Sequence, residues 1–302
     1  MYNYNHLYYF YVTVKYGGVT NAAKHLRISQ PSLSSQLKVL EGTLDIKLFQ
    51  KVGRANQVTR AALVVYGYCR QMFELSEEMS EVILQRVPSA TRRIHIGVSD
   101  EVERSFVVEV VSLFLKRQPV ATRPKITIVA GTQIQLVDRL KFRELDIIIT
   151  ELAMTDPDLM NLARVEAPVV LTCPSAWKMK SKSRSPTAAA AIADITDGNT
   201  AQWVMPSARF KLRSEIDHFF EVNELKGRVV IESDVMASLV RSVVDGIGLA
   251  FFPVLYIKKE LQEKSLRLLG PQSGYWQYRL WLACNSQSHA DPLIQSFAVC
   301  FR

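Results

Sequence analysis

The stretch from 20 to 41, TNAAKHLRISQPSLSSQLKVLE, constrains this chain more than any other. Ala22, Ala23 and Leu26 fall on one face of a short helix, and the paired alanines allow another helix to approach closely. The pattern then breaks, and Pro31 suits the first turn of a second helix because its missing N–H would be unpaired there. The stretch therefore predicts two short helices joined by a tight turn.

The second of these helices has two faces of different chemistry. Its leucines recur every three or four residues and should be buried: Leu33, Leu37, Leu40 and Leu44. Hydroxyls and a cation on the other side can meet base edges and phosphates in a DNA major groove. We expect DNA recognition from Gln30, Pro31, Ser32, Ser34, Ser35 and Lys38. An ordinary helical hairpin with a polar outer face would show the same pattern.

These residues also carry a resemblance that covers about sixty residues. This part of the chain resembles the LysR-type transcriptional regulators. The residues that carry the resemblance run from Ala22 through Ser29-Gln30-Pro31-Ser32-Leu33-Ser34-Ser35-Gln36-Leu37 to Glu41, followed by Leu44, Lys47-Leu48-Phe49, Arg54 and Thr59. The resemblance implies an all-α winged helix-turn-helix domain with a long linker helix. It also implies a C-terminal α/β effector module of two Rossmann-like subdomains, similar to periplasmic binding proteins.

The first domain is predicted to span 1–59. A helix over 4–16 should pack on the two helices of the motif, and a hairpin after Phe49 resembles the wing of this family. Lys51 and Arg54 would meet phosphates or a minor groove there, unless they belong to a solvated basic loop. Thr59 completes the expected DNA-contacting set and can also cap the next helix.

A long helix over 60–88 is predicted to join two copies of the chain. Apolar residues alternate spacings of four and three, which is the heptad seam of a self-pairing helix. The expected dimerisation residues are Val65, Tyr68, Met72, Leu75, Met79 and Val82. Packing against its own domain would also explain them. A dimer presents two recognition helices to one face of DNA, and the resembled family commonly forms tetramers as pairs of dimers.

From Arg93 onward the pattern changes to strands that alternate with helices, which predicts βαβ units and a parallel sheet. By resemblance, two α/β subdomains are joined by crossovers near 163–167 and 264–268. The predicted subdomain I is 91–163 plus 268–302, and subdomain II is 164–267.

Ligands bind outside the carboxyl ends of the strands in open α/β sheets, often at helix N-termini. The expected effector-binding residues are Ser99, Asp100, Glu101, Thr132, Gln133, Gln202, Trp203, Asp245 and Gly246. Ser99 and Thr132 could equally be helix caps, and Trp203 could equally be a core residue. If Asp100 and Glu101 line the site, they favour a neutral or cationic effector over an anionic one.

Charge placement supports a nucleic-acid-binding N-terminus. Residues 1–60 carry eight Lys/Arg against two acids, and the net charge of +8 leaves only +2 for the other 242 residues. A basic, serine-rich stretch over 178–190 is interpreted as a surface loop, with a second nucleic-acid contact as the alternative. The expected location is the cytoplasm, because neither a membrane span nor a signal peptide is recognisable.

The sequence predicts no enzyme. It shows no GxSxG, no HExxH and no glycine-rich phosphate loop, and its four scattered cysteines predict neither a zinc site nor a disulfide framework. We expect no metal and no cofactor. A solute-binding protein or an enzyme on the same two-subdomain fold remains the alternative, since fold alone does not fix function.

A closer resemblance within the family covers mainly the first hundred residues. It is to the branch that activates sodium/proton-antiporter genes. The residues that carry it are Tyr4-Asn5-His6-Leu7-Tyr8-Tyr9-Phe10, Gly53-Arg54, Leu75-Ser76-Glu77-Glu78-Met79, and Gly97-Val98 with Asp100. It implies a sodium, cation or pH response. The expected partners are double-stranded DNA, a second copy of the chain and a small-molecule or ion effector, with RNA polymerase as a further candidate.

Overall fold

The computed structural model describes residues 2–52, 55–83, 92–177 and 201–301. Within these ranges no helix has the length and apolar character to cross a membrane. Three sequence predictions fall outside the described residues: the wing turn with Gly53 and Arg54, the last part of the linker helix after 83, and the basic stretch over 178–190.

The N-terminal domain consists of three helices and a hairpin. They are α1 (Tyr4–Lys15), α2 (Val19–Leu26), α3 (Gln30–Leu44), β1 (Phe49–Val52) and β2 (Ala55–Val58). The turn between α2 and α3 begins at Arg27 in the left-handed conformation, and the Ser29 side chain caps α3 by accepting from the Ser32 N–H. Phe10, Ala22 and Leu33 are fully buried in the shared core. The predicted helix pair and wing are therefore both present.

The long helix α4 (Arg60–Ile83) follows the hairpin directly. One of its faces packs against α1 and closes the N-terminal core. Ala62 and Cys69 are buried there, and the ring of Tyr66 stacks on that of Tyr11 with centroids 5.9 Å apart. Apart from Val65, the predicted heptad seam lies on another face, so α4 both completes the first domain and leaves that second face open.

The remaining chain is the α/β module. Its first elements are β3 (Arg93–Ser99), α5 (Arg104–Arg117), β4 (Lys125–Gly131), α6 (Gln133–Lys141), β5 (Ile147–Thr150) and β6 (Leu159–Pro174). Its later elements are β7 (Gln202–Pro206), α7 (Lys211–Val222), β8 (Arg228–Ser233), α8 (Met236–Val244), β9 (Ala250–Pro253), α9 (Lys258–Gln262), β10 (Leu266–Leu269), β11 (Trp276–Asn285) and α10 (Pro292–Phe301).

Strand pairing confirms the predicted parallel units. β3 pairs in parallel with both β4 and β5, and β7 pairs in parallel with β8. Because parallel strands end at the same edge of a sheet, the ends of β3, β4 and β5 lie side by side. The sheet edge at which the sequence predicts ligand binding therefore exists in the first subdomain.

Two long antiparallel strands join the subdomains. β6 pairs with β11 along most of its length, and its final residues pair with β9 and β10. β10, at Leu266–Leu269, is thus still part of the second subdomain, and the chain returns to the first only along β11. The crossover predicted near 264–268 is therefore placed too early, because the return runs through a strand rather than through a linker.

Trp203 lies in the core of the second subdomain, so the prediction that it binds the effector is wrong. Its side chain is 1% exposed and lies between the rings of Phe220 and Phe251. Its indole N–H donates to the Lys226 carbonyl oxygen at 3.2 Å. A Trp with a satisfied N–H in an aromatic cluster is a core residue, so no surface remains for an effector.

All four cysteines are free and buried. Cys69 lies in the N-terminal core, and Cys173, Cys284 and Cys300 lie in the core of the α/β module. Their interpretation as small buried hydrophobes is confirmed.

Candidate DNA-binding surface and effector cleft

The outer face of α3 carries most of the predicted DNA-contacting residues. Leu33, Leu37 and Leu40 are buried on the inner face. Gln30, Pro31, Ser32, Ser35 and Lys38 are exposed on the outside, and Ser34 is half-buried beside them. The first turn therefore combines free side-chain donors and acceptors with a helix N-terminus, a combination that suits contact with phosphates and base edges.

The wing adjoins this helix through a short hydrogen-bonded connection. Glu41 accepts from the Leu48 N–H at 2.8 Å and pairs with Lys47 at 3.3 Å, so the end of α3 fixes the start of β1. Lys51 is exposed on β1 and faces Asn56 in the register. Arg54 lies outside the described residues. Lys51 is thus free to meet a backbone phosphate beside the groove.

Thr59 uses its hydroxyl within the protein. It donates to the Lys47 carbonyl oxygen at 2.6 Å and accepts from the Ala62 N–H at 3.1 Å. The predicted cap of α4 is therefore confirmed. With both hydrogen bonds internal, the hydroxyl holds the start of the wing against the start of α4.

The predicted dimerisation seam lies largely on an open face of α4. Leu75 and Met79 are 64% and 55% exposed, and Tyr68 and Met72 are also exposed. Val65 is half-buried against the N-terminal core, and the side chain of Val82 lies outside the described set. The Arg143 guanidinium also lies over the Tyr68 ring, 4.9 Å from its centroid. A row of large apolar side chains in water indicates a surface that a partner covers.

Ser99, Asp100 and Glu101 follow the end of β3. Ser99 is buried and donates to Glu101 at 3.1 Å, while Asp100 lies 3.4 Å from Arg104. Neither Ser99 nor Asp100 caps α5, because Glu103 does so by accepting from the Ser105 N–H. The N-terminus of α5 is therefore capped by Glu103, and Ser99 is not a helix cap.

Thr132 and Gln133 follow the neighbouring strand β4. Thr132 is exposed and caps α6 in a capping box, in which its hydroxyl accepts from the Gln135 N–H and its own N–H donates to the Gln135 side chain. Gln133 begins the helix and is half-buried. Both residues lie at the same sheet edge as Ser99, which brings the predicted groups of the first subdomain together.

The predicted residues of the second subdomain do not reach that edge. Gln202 lies at the start of β7, and Asp245 and Gly246 precede β9, which runs parallel beside β7. These residues are therefore at the amino ends of their strands, whereas the carboxyl end of β7 leads to Ser207 and α7. Asp245 is instead paired with Arg241 at 2.8 Å. The prediction that these three residues line the cleft is corrected.

A buried acid occupies the cleft in their place. Glu151 directly follows β5, is 1% exposed, and accepts a hydrogen bond from the Tyr278 hydroxyl. The Tyr278 oxygen is 3.0 Å from that of Tyr256, so a chain of two hydroxyls ends at the acid. Burial, aided by the charges of Glu101 and Glu215, raises the pKa of Glu151 to about 8, against the lowering effects of the Tyr278 hydrogen bond and of Lys211.

Two polar atoms at this place lack a partner among the described residues. One is the second carboxyl oxygen of Glu151, and the other is the hydroxyl oxygen of Ser207, after β7. Lys211 and Glu215, in the first turns of α7, are close enough to Glu151 for their charges to affect its pKa. The start of α7 therefore lies near the end of β5. The two subdomains therefore meet at the carboxyl ends of their strands, as the general rule for open sheets requires.

Two family models together match almost the whole chain. The model of the bacterial regulatory helix-turn-helix protein of the lysR family matches residues 4–63. The model of the LysR substrate binding domain matches residues 89–302, which is more than two thirds of the sequence. The chain belongs to the LysR family.

Known proteins agree with this assignment. The transcriptional activator protein NhaR of Escherichia coli is 32% identical over 150 residues, which are 49% of this chain and 48% of that protein. The match thus spans about half the length of that relative. Full-length OxyR from Pseudomonas aeruginosa, as a variant with one cysteine replaced by aspartate, has a TM-score of 0.66 at 16% identity, covering 100% of this chain and 95% of that one.

A further solved structure shows the same fold. ArgP from Mycobacterium tuberculosis has a TM-score of 0.67 at 14% identity and covers 98% of this chain and 94% of that one. At such identities the likeness is one of fold. The LysR fold predicted from the resemblance is therefore shown, and the relatives are regulators rather than enzymes.

Sequence reasoning on this LysR-family chain missed Glu151 and its tyrosines. The signal was present, because Glu151 ends the apolar stretch LDIIITE just as Ser99 ends RIHIGVS. The rule that directed attention to the ends of β3 and β4 applies equally to β5. Tyr256 and Tyr278 had no such signal, since they reach Glu151 from parts of the chain more than a hundred residues away.

Proposed function

We propose that this LysR-family protein is a sequence-specific transcriptional regulator whose α3 reads the major groove of a two-fold-related DNA site. The main support for this proposal is that α3 has a buried leucine face and an exposed face with Gln30, Ser32, Ser35 and Lys38. Lys51 adds a phosphate contact from the wing. The protein acts in the cytoplasm, where it reaches DNA directly.

The open face of α4 forms the dimer in this proposal. Tyr68, Met72, Leu75 and Met79 are covered by the same helix of a second copy. Two copies then place their α3 helices on one face of DNA at a fixed separation. A pair of such dimers would give a tetramer, and RNA polymerase is the further partner through which activation would act.

The cleft at the ends of β3, β4 and β5 binds the effector. Ser99, Glu101 and Glu151 supply oxygen atoms, and the unpartnered oxygen of Glu151 is available to a ligand. Such a set favours a neutral or cationic effector, because Glu151, whose pKa is raised to about 8, can hydrogen-bond a neutral ligand when protonated, and the Glu101 carboxylate would attract a cation and repel an anion. The likeness to NhaR, named a transcriptional activator, supports an activator, and the resemblance to the antiporter-gene branch supports a sodium, cation or pH response.

Selection of bound DNA from a random pool tests the proposal. The full-length protein at moderate salt should enrich a two-fold-related motif with fixed half-site spacing. Salt-sensitive binding without an enriched motif would contradict it, since a basic surface alone gives that result. In that case the α/β module would be assayed as a ligand-binding or catalytic protein.

The effector class is tested separately on the selected site. DNA affinity and footprint are compared in sodium chloride and in potassium chloride of equal concentration, for the wild type and for Asp100→Ala. A response to sodium that Asp100→Ala weakens would support cation binding by this end of the cleft. Tight binding of a carboxylate effector that Asp100→Ala leaves unchanged would contradict it.

A further inference from the structure

Arg70 is a buried cation at the junction of the dimerisation helix and the α/β module. It lies on α4 and is 5% exposed. Its Nε and Nη2 donate to the Arg143 carbonyl oxygen at 3.0 and 2.7 Å, and Nη2 also donates to Asp146 at 3.1 Å. Its Nη1 donates to Glu74 at 3.0 Å and lies 2.6 Å from His95 Nδ1. We call this group the Arg70 clamp.

The clamp is a built contact rather than a chance surface pair. One turn earlier on α4, a Cβ at Gly67 would overlap the carbonyl oxygen of Phe142 and crowd Arg143. The helix backbone therefore lies directly against the turn after α6. Asp146 also accepts from the His95 N–H at 2.7 Å. Burial alone would raise the pKa of Asp146, but the hydrogen bonds of His95 and the charge of Arg70 hold it below its ordinary value.

The module-side groups of the clamp belong to elements that start or end at the effector cleft. Arg143 follows α6, whose N-cap is Thr132. Asp146 precedes β5, which is followed by Glu151, and His95 is on β3, which ends at Ser99. These elements are short and pack directly against one another, since β3 pairs with β5 and Leu136 of α6 lies against Gly97 of β3. Displacement at the cleft end is therefore carried to the clamp end.

The next turn of α4 is packed loosely. A cavity of about 500 Å³ borders the clamp at Arg70, Glu74, Arg143 and Asp146. It extends past Gln71 and Leu75 of the helix to Ser288 and Leu293 of the module. The tightest contact of helix and module is at Gly67 and Arg70, and beyond the cavity a partly exposed ion pair joins Glu77 to Arg93 at 3.2 Å. The cavity leaves room for α4 to change direction about Arg70.

We propose that the Arg70 clamp is the site through which the effector cleft sets the direction of α4, and with it the separation of the two DNA-reading helices. This rests on the regulator function proposed above. A role in stability alone is the competing explanation. Burying charges costs much of what their attraction gains, so such a network serves better to select one arrangement than to add stability.

The test is half-site spacing, which a merely stabilising group would not change. DNA is selected from a random pool with the wild type, Arg70→Gln and Arg70→Lys. Lysine keeps the charge but cannot bridge Arg143, Asp146 and Glu74 at once. Lys259→Gln, at an exposed residue of α9, is the charge-matched control for Arg70→Gln.

Both Arg70 variants should enrich the wild-type half-site, because α3 is untouched, but with a broadened or shifted distribution of spacings. Lys259→Gln should keep the wild-type spacing. Unchanged half-site spacing in a folded Arg70 variant would overturn the proposed role of the clamp while leaving the regulator function intact. Failure of the wild type to enrich any two-fold motif would instead overturn the regulator function, and the clamp with it.

A second measurement covers variants that do not fold. Hydrogen exchange of the wild-type amides over 142–147 is compared with and without the selected DNA. Coupling is reciprocal, so DNA binding should change exchange at these amides at least twofold. Unchanged exchange there, with protection of α3 in the same sample, would overturn the clamp.

Discussion

The hydroxyl of Tyr278 donates to one carboxyl oxygen of Glu151, whose other oxygen is buried without a partner in the described part of the chain. The acid closes β5 at the carboxyl edge of the sheet, where the two subdomains meet. An uncompensated buried oxygen costs free energy in the folded state. The position of Glu151 therefore fits a binding group better than a structural one.

Glu151→Gln should make stability less dependent on pH. The pKa of Glu151 in the folded protein is raised to about 8, so the folded state is most stable when Glu151 is protonated. Its contribution is complete below its ordinary pKa and is lost as pH rises through about 8. At about 1.4 kcal/mol per pKa unit, the loss is at most roughly 5 kcal/mol.

Thermal unfolding between pH 5 and pH 9 measures this effect. The melting temperature of the wild type should fall more steeply with rising pH than that of Glu151→Gln. Glu263→Gln, at an exposed residue of the same module, should follow the wild type. Parallel curves for the wild type and Glu151→Gln would show that the acid does not titrate in this range.

Lys38→Ala should weaken DNA binding in a way that identifies its contact. If the lysine meets phosphate, affinity falls for all sequences and the slope of log affinity against log salt decreases in magnitude by about one. If it meets a guanine edge, the loss is confined to the selected site. Fluorescence anisotropy on selected and scrambled duplexes separates the two. Lys259→Ala serves as the control, and an effect equal to that of Lys38→Ala would exclude a specific role for Lys38.

Ser35→Ala should reduce discrimination between sequences. Losing one hydrogen bond of about 1 kcal/mol to a base edge lowers the affinity ratio of selected to random DNA roughly fivefold. The ratio is measured by competition at fixed salt. If affinity for both DNAs falls equally, Ser35 contacts the backbone and base readout by this residue is ruled out.

Met79→Asp should separate the dimer. Met79 is 55% exposed in the single chain and would be buried against the partner helix. A carboxylate buried there without a counter-charge should raise the dimer dissociation constant at least tenfold, on the order of the cost of burying an unpaired charge. Sedimentation velocity measures the association. Val222→Asp, at an exposed apolar residue of α7, is the control; if it dissociates the protein equally, the interface lies elsewhere.

Thr59→Ala should destabilise the N-terminal domain by about 1 kcal/mol, the usual loss for a helix cap. The Thr59 hydroxyl also holds the Lys47 carbonyl oxygen, so the wing should loosen and DNA affinity should fall with stability. Thr59→Ser retains both hydrogen bonds and should behave as the wild type. Chemical denaturation and DNA affinity are measured together, and a loss of affinity in both variants would indicate a direct contact by the threonine methyl group.

Local patterns predicted the DNA-binding half of this molecule well. The leucine spacing in α3, the proline in its first turn and the alanine pair in α2 each report on neighbours within one or two helical turns, and the structure places all of them as expected. The capping threonines Thr59 and Thr132 were also recognisable, because a cap depends on residues only three positions away.

The cleft was predicted only on one side. Ser99 and Thr132 follow strands whose order and direction could be inferred, so their shared edge was recognisable. Gln202 and Asp245 were misplaced because the carboxyl-end rule was not applied to them, since Gln202 begins its strand and Asp245 precedes the next one. An aromatic residue in a strand pattern also looks the same whether it faces a ligand or a core.

The sequence by itself determined the family, the recognition helix, the open apolar face of α4 and the alternation that builds the α/β module. Only the tertiary structure decided that Arg70 lies against Asp146, 76 residues further on, and that Tyr278 reaches Glu151 across 127 residues. Periodicity and caps depend on backbone geometry over a few residues. Contacts such as these depend instead on how whole elements pack, and no local pattern records that.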